Sequence, residues 1–234
     1  MKYAIIAAGE GSRLAEEGID VPKPLVKLCG VPMIERLVNI FRKNGADEIV
    51  IIVNTLNRQT EAYVREMMDS EEGKDIRLVV KTTPSSMHSF FELSRYLEDA
   101  PFCLTTVDTI FRECEFADYI KAFKEGNVDG MMAVTDYVDD EKPLYVEVDE
   151  GMAITGFFDT PSDCRYISGG VYCLQPSALK TLRRCMEEGR SRMRNFQRGL
   201  ITDGLRLKAF RFSKILDVDH ASDIPKAELF LQEK

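Results

Sequence analysis

Four stretches of this chain are built on consecutive apolar residues instead of an alternating pattern: "KYAIIAA" (2–8), "DEIVIIVN" (47–54), "IRLVVK" (76–81) and "PFCLTTVD" (101–108). A strand with no polar face is covered on both sides, as in a parallel sheet. Between these runs the period changes to that of a helix. In "PMIERLVNIFRKNGA" (32–46), Ile34, Leu37, Val38 and Phe41 share one face, Pro32 opens the first turn and Gly45 closes the end. "RQTEAYVREMMDS" (58–70) and "SMHSFFELSRYLE" (86–98) read as further helices. Strands alternating with helices predict an α/β fold with a Rossmann-like, mainly parallel sheet and helices on both faces.

After about residue 126 the pattern shifts. "VDGMMAVTDYV" (128–138), "LYVEVDE" (144–150), "MAITGFFD" (152–159) and "YISGGVYCL" (166–174) follow one another with short polar joins, which predicts antiparallel or mixed pairing. Two helices are predicted at about 176–188 and 192–203, a late strand over 205–212, and a closing helix over 221–232. No repeat, low-complexity tract or flexible linker divides the chain, so a single domain over residues 1–234 is expected.

Charge narrows the function. With 31 basic and 39 acidic residues the formal charge is −8, which repels a nucleic-acid backbone. The six cysteines form no C-x-x-C pair and no metal-finger spacing, so reduced thiols in a cytoplasmic protein are expected. No apolar run approaches a membrane span, and the N-terminal run is too short for a signal segment.

The first strand ends in "GEGSR" (9–13). Ligands of open α/β sheets bind beyond the carboxyl ends of the strands, where glycines let backbone N–H groups approach phosphate oxygens. Gly9, Gly11 and Ser12 stand at that edge, and the guanidinium of Arg13 can hold two phosphate oxygens at once. A plain turn with a surface arginine is the competing account. Lys23, between Pro22 and Pro24, is expected in rigid extended backbone and adds a second cation suited to a polyphosphate. Leu14 occupies the place of the third glycine of a dinucleotide fingerprint, and Asn54 the place of its acidic residue. Both argue against an NAD-type oxidoreductase.

"AAGEGSRL", "PKPL" and "GVPMIER", in that order and spacing, resemble the sugar-nucleotide pyrophosphorylase (nucleotidyltransferase) superfamily. "FCLTTVDTIF" resembles that family's strand ending in a metal-binding aspartate, with Val107 where members usually carry glycine. "ILDVDHASDIPKAELFL" resembles its closing segment, and "YISGGVYCLQPSAL" its acceptor strand. The resemblance implies a glycosyltransferase-A-like fold with a nucleotide-binding half over about 1–125 and an acceptor half over about 126–234. It implies that Ala7, Ala8, Gly9, Gly11, Ser12, Arg13, Lys23, Thr82 and Ser89 bind nucleotide, and that Gly169 and Gly170 line the acceptor pocket. It assigns catalysis to Arg13, Lys23 and Asp108, and a Mg²⁺ to Asp108 with Asp219, Asp217 being the nearby alternative. The partners implied are a nucleoside triphosphate and a phosphorylated small molecule, with self-association left open.

The family reaction needs no general base, since the attacking phosphate oxygen is already anionic. That suits a chain with only two histidines, His88 and His220, for which no role is expected. The hydroxyls of Thr82, Ser85, Ser86 and Ser89 do not encode one base. "FFDTPSDC" (157–164) stands where hexose-phosphate members carry E-K-P, which leaves room for a smaller acceptor such as a phosphorylated amino alcohol, polyol or heptose. A cytidylyltransferase acting on such a molecule, and a silent nucleotide- or sugar-nucleotide-binding protein, are therefore the alternatives. The run holding Arg183, Arg184, Arg190, Arg192, Arg194 and Arg198 reads as a solvated helical face, or else as an acceptor-phosphate or partner contact.

Overall fold

The computed structural model describes residues 1–139, 142–161 and 163–233. Ser162, within the 157–164 segment, lies outside the described residues. The first half runs β1 (Lys2–Ala7), α1 (Ser12–Glu16), β2 (Lys27–Leu28), β3 (Val31–Pro32), α2 (Met33–Lys43), β4 (Glu48–Val53), α3 (Arg58–Asp69), β5 (Ile76–Val80), α4 (Ser86–Ser94), β6 (Phe102–Thr106), β7 (Thr109–Ile110) and α5 (Glu113–Glu125). The second runs β8 (Gly130–Thr135), β9 (Tyr145–Val148), β10 (Ile154–Phe158), β11 (Tyr166–Leu174), α6 (Ala178–Glu187), α7 (Met193–Thr202), β12 (Leu207–Arg211), β13 (Leu216–Asp217) and α8 (Asp223–Gln232). Among the described residues no helix is long and apolar enough to cross a membrane.

Nine of these strands form one sheet. β1 lies between β4 and β6, parallel to both, and β5 continues the parallel set beyond β4. β11 runs antiparallel to β6, β8 and β9, while β12 is parallel to β8. The sheet is thus mixed and mainly parallel in its first half, as the hydrophobic pattern predicts.

Burial on both faces follows from the alternation of side chains along each strand. Tyr3, Ile5 and Ala7 of β1 point into a core with Ile34, Phe41, Val64, Phe116 and Phe230, which belong to α2, α3, α5 and α8. Ala4 and Ile6 point the other way, onto Phe90, Leu182 and Phe196 of α4, α6 and α7. Helix α5 is absent from the sequence reading, although Phe116, Tyr119, Ile120 and Phe123 carry its spacing and are buried.

Tyr119 secures the irregular part of the sheet. The register of β11 against β8 shifts between Ser168 and Tyr172, and the fully buried Tyr119 hydroxyl sits at that shift. It donates to the Met131 carbonyl at 2.6 Å and accepts from the Cys173 N–H at 2.8 Å. The two glycines at the shift are needed for different reasons. Gly170 has φ +72°, and a Cβ on Gly169 would stand 2.2 Å from Cδ1 of Ile215.

Asn54, 1% exposed at the end of β4, ties three strand ends together. Its amide donates to the Ala8 carbonyl at 3.2 Å, and its oxygen accepts from the Leu56 N–H at 2.9 Å and the Thr82 hydroxyl at 2.8 Å.

Two substitutions test these anchors. Tyr119→Phe keeps the ring but leaves buried backbone groups unpaired, and should cost about 1–3 kcal/mol. The urea midpoint should fall with an unchanged slope; an unmoved midpoint would show that the hydroxyl is dispensable. Asn54→Ala should lose a similar roughly 1–3 kcal/mol by stranding the buried Ala8 carbonyl, read from the same titration.

Candidate active site

The loop after β1 crosses directly over Lys23. Gly11 has φ +64°, and a Cβ there would stand 2.9 Å from Cβ of Lys23. A side chain at position 11 is excluded both by the backbone angle and by this approach. Lys23 does not stand in extended backbone as the flanking prolines predict. It opens a 3₁₀ turn over Lys23–Leu25, closed by the Leu25 N–H on the Pro22 carbonyl at 2.8 Å. Pro24 is tolerated because a first helical turn does not use its missing N–H.

The side chain of Lys23, 12% exposed, lies between two carboxylates: it is ion-paired to Asp108 and 2.6 Å from Oδ1 of Asp219. Burial opposes its charge, but Asp108 and Asp219 together outweigh burial and raise its pKa above the ordinary lysine value. Arg13 reaches the other oxygen of Asp219 at 3.4 Å.

Asp219 reaches this point through a short antiparallel ribbon. β13 pairs with β7, Leu216 against Ile110 and Asp217 against Thr109, and the Val218 N–H bonds to the Asp108 carbonyl at 3.2 Å. Val218 is fully buried. Asp223, at the first position of α8, accepts from the N–H groups of Asp219 (3.2 Å) and His220 (2.8 Å), fixing the turn that presents Asp219. Burial opposes the charge of Asp223, but these N–H groups and Lys226 hold its pKa below the usual aspartate value.

A cavity of about 380 Å³ opens at the carboxyl ends of β1, β4 and β6. Ala7, Ala8, Gly9, Gly11, Ser12, Arg13, Lys23, Ser89, Asp108 and Asp219 all line it. Thr82 does not; its hydroxyl is turned to Asn54 and Thr55. Its neighbour Thr83 lines the wall instead, 2.6 Å from the Ser89 hydroxyl. Ser85 and Ser86 also line the cavity, and Ser85 donates to the Ser191 carbonyl, bringing the α6–α7 loop against this wall. Asn54 is a lining residue that sequence reasoning used only to exclude a dinucleotide site.

A second cavity, of about 340 Å³, shares Arg13 and Asp219 with the first. Gly169 and Asp217 line it, with Ser168, Tyr137, Lys142 and Lys226; Gly170 does not. His220 also lines it, with Nδ1 2.6 Å from Oε1 of Glu17. That bond raises the pKa of His220 and lowers that of Glu17. His88 lines neither cavity and bonds to Ser85 at 2.8 Å.

No arginine of the 183–198 run lines either cavity. Arg183 pairs with Glu98, Arg184 with Asp203, Arg190 with Glu188, and Arg194 and Arg198 with Asp159.

Known proteins resemble this chain in sequence and in fold. The chain is 27% identical over 187 residues to a mannose-1-phosphate guanyltransferase of Yarrowia lipolytica, covering 76% of this chain and 50% of that protein. It is 28% identical over 193 residues to a mannose-1-phosphate guanylyltransferase catalytic subunit beta of Danio rerio, covering 78% and 52%. The chain therefore spans about half the length of these curated relatives. The solved inositol-1-phosphate CTP transferase of T. maritima superposes over 99% of this chain and 98% of its own, with a TM-score of 0.78 at 21% identity. That likeness is one of fold. A family model for nucleotidyl transferases matches residues 2–234, and the chain belongs to that family.

Proposed function

We propose that this chain transfers a nucleoside monophosphate from a nucleoside triphosphate to a phosphorylated small molecule of the sugar or polyol phosphate class. One observation carries the reading: two cavities meet at a wall formed by Arg13 and Asp219, beside Lys23 and Asp108. A triphosphate in the first cavity and a phosphorylated acceptor in the second would bring their phosphates together at that wall. The names of the relatives support the class of acceptor, since they act on mannose 1-phosphate and the solved neighbour on inositol 1-phosphate.

In the reaction an oxygen of the acceptor phosphate bonds to the α-phosphorus, the bond from that phosphorus to the β-phosphate bridge breaks, and pyrophosphate departs with its electron pair. The attacking oxygen carries its charge already, so no side chain must remove a proton. What remains is to hold two repelling anions in line and to neutralise charge that builds on the leaving group. Arg13 and Lys23 do this work from the first cavity. The glycines of the 9–11 loop admit the phosphate chain close to the backbone.

The donor set fits a divalent cation. Asp108 and Asp219 supply hard oxygen ligands that already converge on one positive charge, and Oδ1 of Asp108 is buried with no hydrogen-bond partner. Among the described residues no group of three or more His, Cys, Asp or Glu side chains gathers as a metal site. Mg²⁺ needs only one or two protein carboxylates, with water and phosphate oxygens completing its shell. When bound, it would neutralise phosphate charge and align the reacting groups.

Release of pyrophosphate should be measured with the common triphosphates, each against mannose 1-phosphate, glucose 1-phosphate, inositol 1-phosphate and a phosphorylated amino alcohol. At least one pair should turn over. Folded protein that is silent with all of them would overturn the reading, and triphosphate binding without turnover would favour a nucleotide-binding protein. With the active pair, Asp108→Asn and Asp219→Asn should each lower kcat by about 10²–10³-fold or more, and Asp217→Asn by less. An inactive Asp217→Asn beside an active Asp219→Asn would reverse the assignment.

A further inference from the structure

We infer that Lys23 holds the divalent-cation position closed in the nucleotide-free protein, so that metal enters with the triphosphate and not before it. The inference rests on the proposed role of Asp108 and Asp219 as the carboxylates that hold the cation. Both of these touch the same ammonium, on a side chain that is only 12% exposed. Arg13 adds a second positive group 3.4 Å from the remaining oxygen of Asp219. Two carboxylates are thus matched by two cations of the chain itself.

A divalent ion entering alone would have to compete for Asp108 and Asp219 against charges of its own sign at contact distance. The lysine cannot withdraw with its backbone. That backbone is held in the 3₁₀ turn, and Cβ of Lys23 lies beneath Gly11. Its ammonium can leave only by rotation of the side chain, and it then needs another anion. The adjoining cavity is where a triphosphate would supply one, since Arg13, Lys23 and the glycine loop all face it. Arrival of the phosphates would give both cations new partners and release the two carboxylates together. Lys23 is in this sense a placeholder that couples occupancy of the metal position to occupancy of the nucleotide cavity.

The test is Mn²⁺ binding to the nucleotide-free protein, read from the free-ion paramagnetic resonance signal, which does not depend on turnover. Wild-type protein should bind Mn²⁺ weakly. Lys23→Met should bind it about tenfold more tightly or better, and adding Asp108→Asn to Lys23→Met should abolish the gain. Lys23→Arg, which keeps the charge, should stay as weak as wild type. Equal Mn²⁺ affinity for wild type and folded Lys23→Met would overturn the inference. If Lys23→Met does not fold, the wild type decides by thermal unfolding. Mg²⁺ alone should leave Tm unchanged, whereas Mg²⁺ added to protein with a non-hydrolysable triphosphate should raise it further, and a rise with Mg²⁺ alone would overturn the inference. A tightened Lys23→Met in a protein with no transferase activity would leave the inference standing and remove the proposed reaction; an active enzyme with no tightening would do the reverse.

Discussion

Two carboxylates stay ionised side by side in a half-buried cleft most readily when a positive charge lies between them, and much of this molecule is arranged around that pairing. Asp108 follows β6 and Asp219 follows β13, so the closing segment of the chain must return to the centre of the sheet. The β7–β13 pairing brings it there. Helix α8 is fastened in turn to the turn between β2 and β3, where the Cys29 N–H bonds to Glu228 at 2.8 Å. Lys23 is carried there by a turn packed under the glycine loop. Distant parts of the sequence meet at one small group of charges.

The sheet explains why the meeting point lies where it does. Tyr3, Ala4 and Ile5 of β1 are fully buried, so no face of that strand is open to a ligand. Backbone N–H groups and polar side chains become available only where the parallel strands stop. Asn54 marks this boundary: it is a core residue by exposure, yet it faces the first cavity and satisfies the ends of neighbouring segments. The second cavity has another origin. It depends on the shift in β11, where Gly169 gives way to Ile215 and Tyr119 closes the gap from below.

Much of this was legible because it is local. Continuous apolar runs marked the parallel strands, and the glycine loop, Lys23 and the two aspartates stood in linked motifs. Helix α5 escaped because Arg112 at its N-cap offers no side-chain cap, so the start signal is missing although the apolar spacing is present. The turn at Lys23 departs from the local pattern because the residue before a proline tends to be extended, and here a hydrogen bond from Leu25 to Pro22 overrides that tendency. Thr82 and Thr83 are adjacent hydroxyls, and only the path of the chain after β5 decides which of them faces the cavity. The partners of Asn54 lie far from it in sequence, beyond the reach of any local pattern.

The arginines of α7 do something that a count of charges would not suggest. Strand β10 ends the sheet, and an end strand presents unpaired carbonyls on which a foreign strand can template itself. Arg198 donates to the Phe157 carbonyl of that strand at 3.1 Å, and both it and Arg194 are anchored on Asp159 just beyond. A bulky, charged helix is thereby strapped along the sheet margin. Arg194 and Arg198 therefore spend their charge on the sheet margin, where a covered carbonyl is one fewer acceptor for a foreign strand.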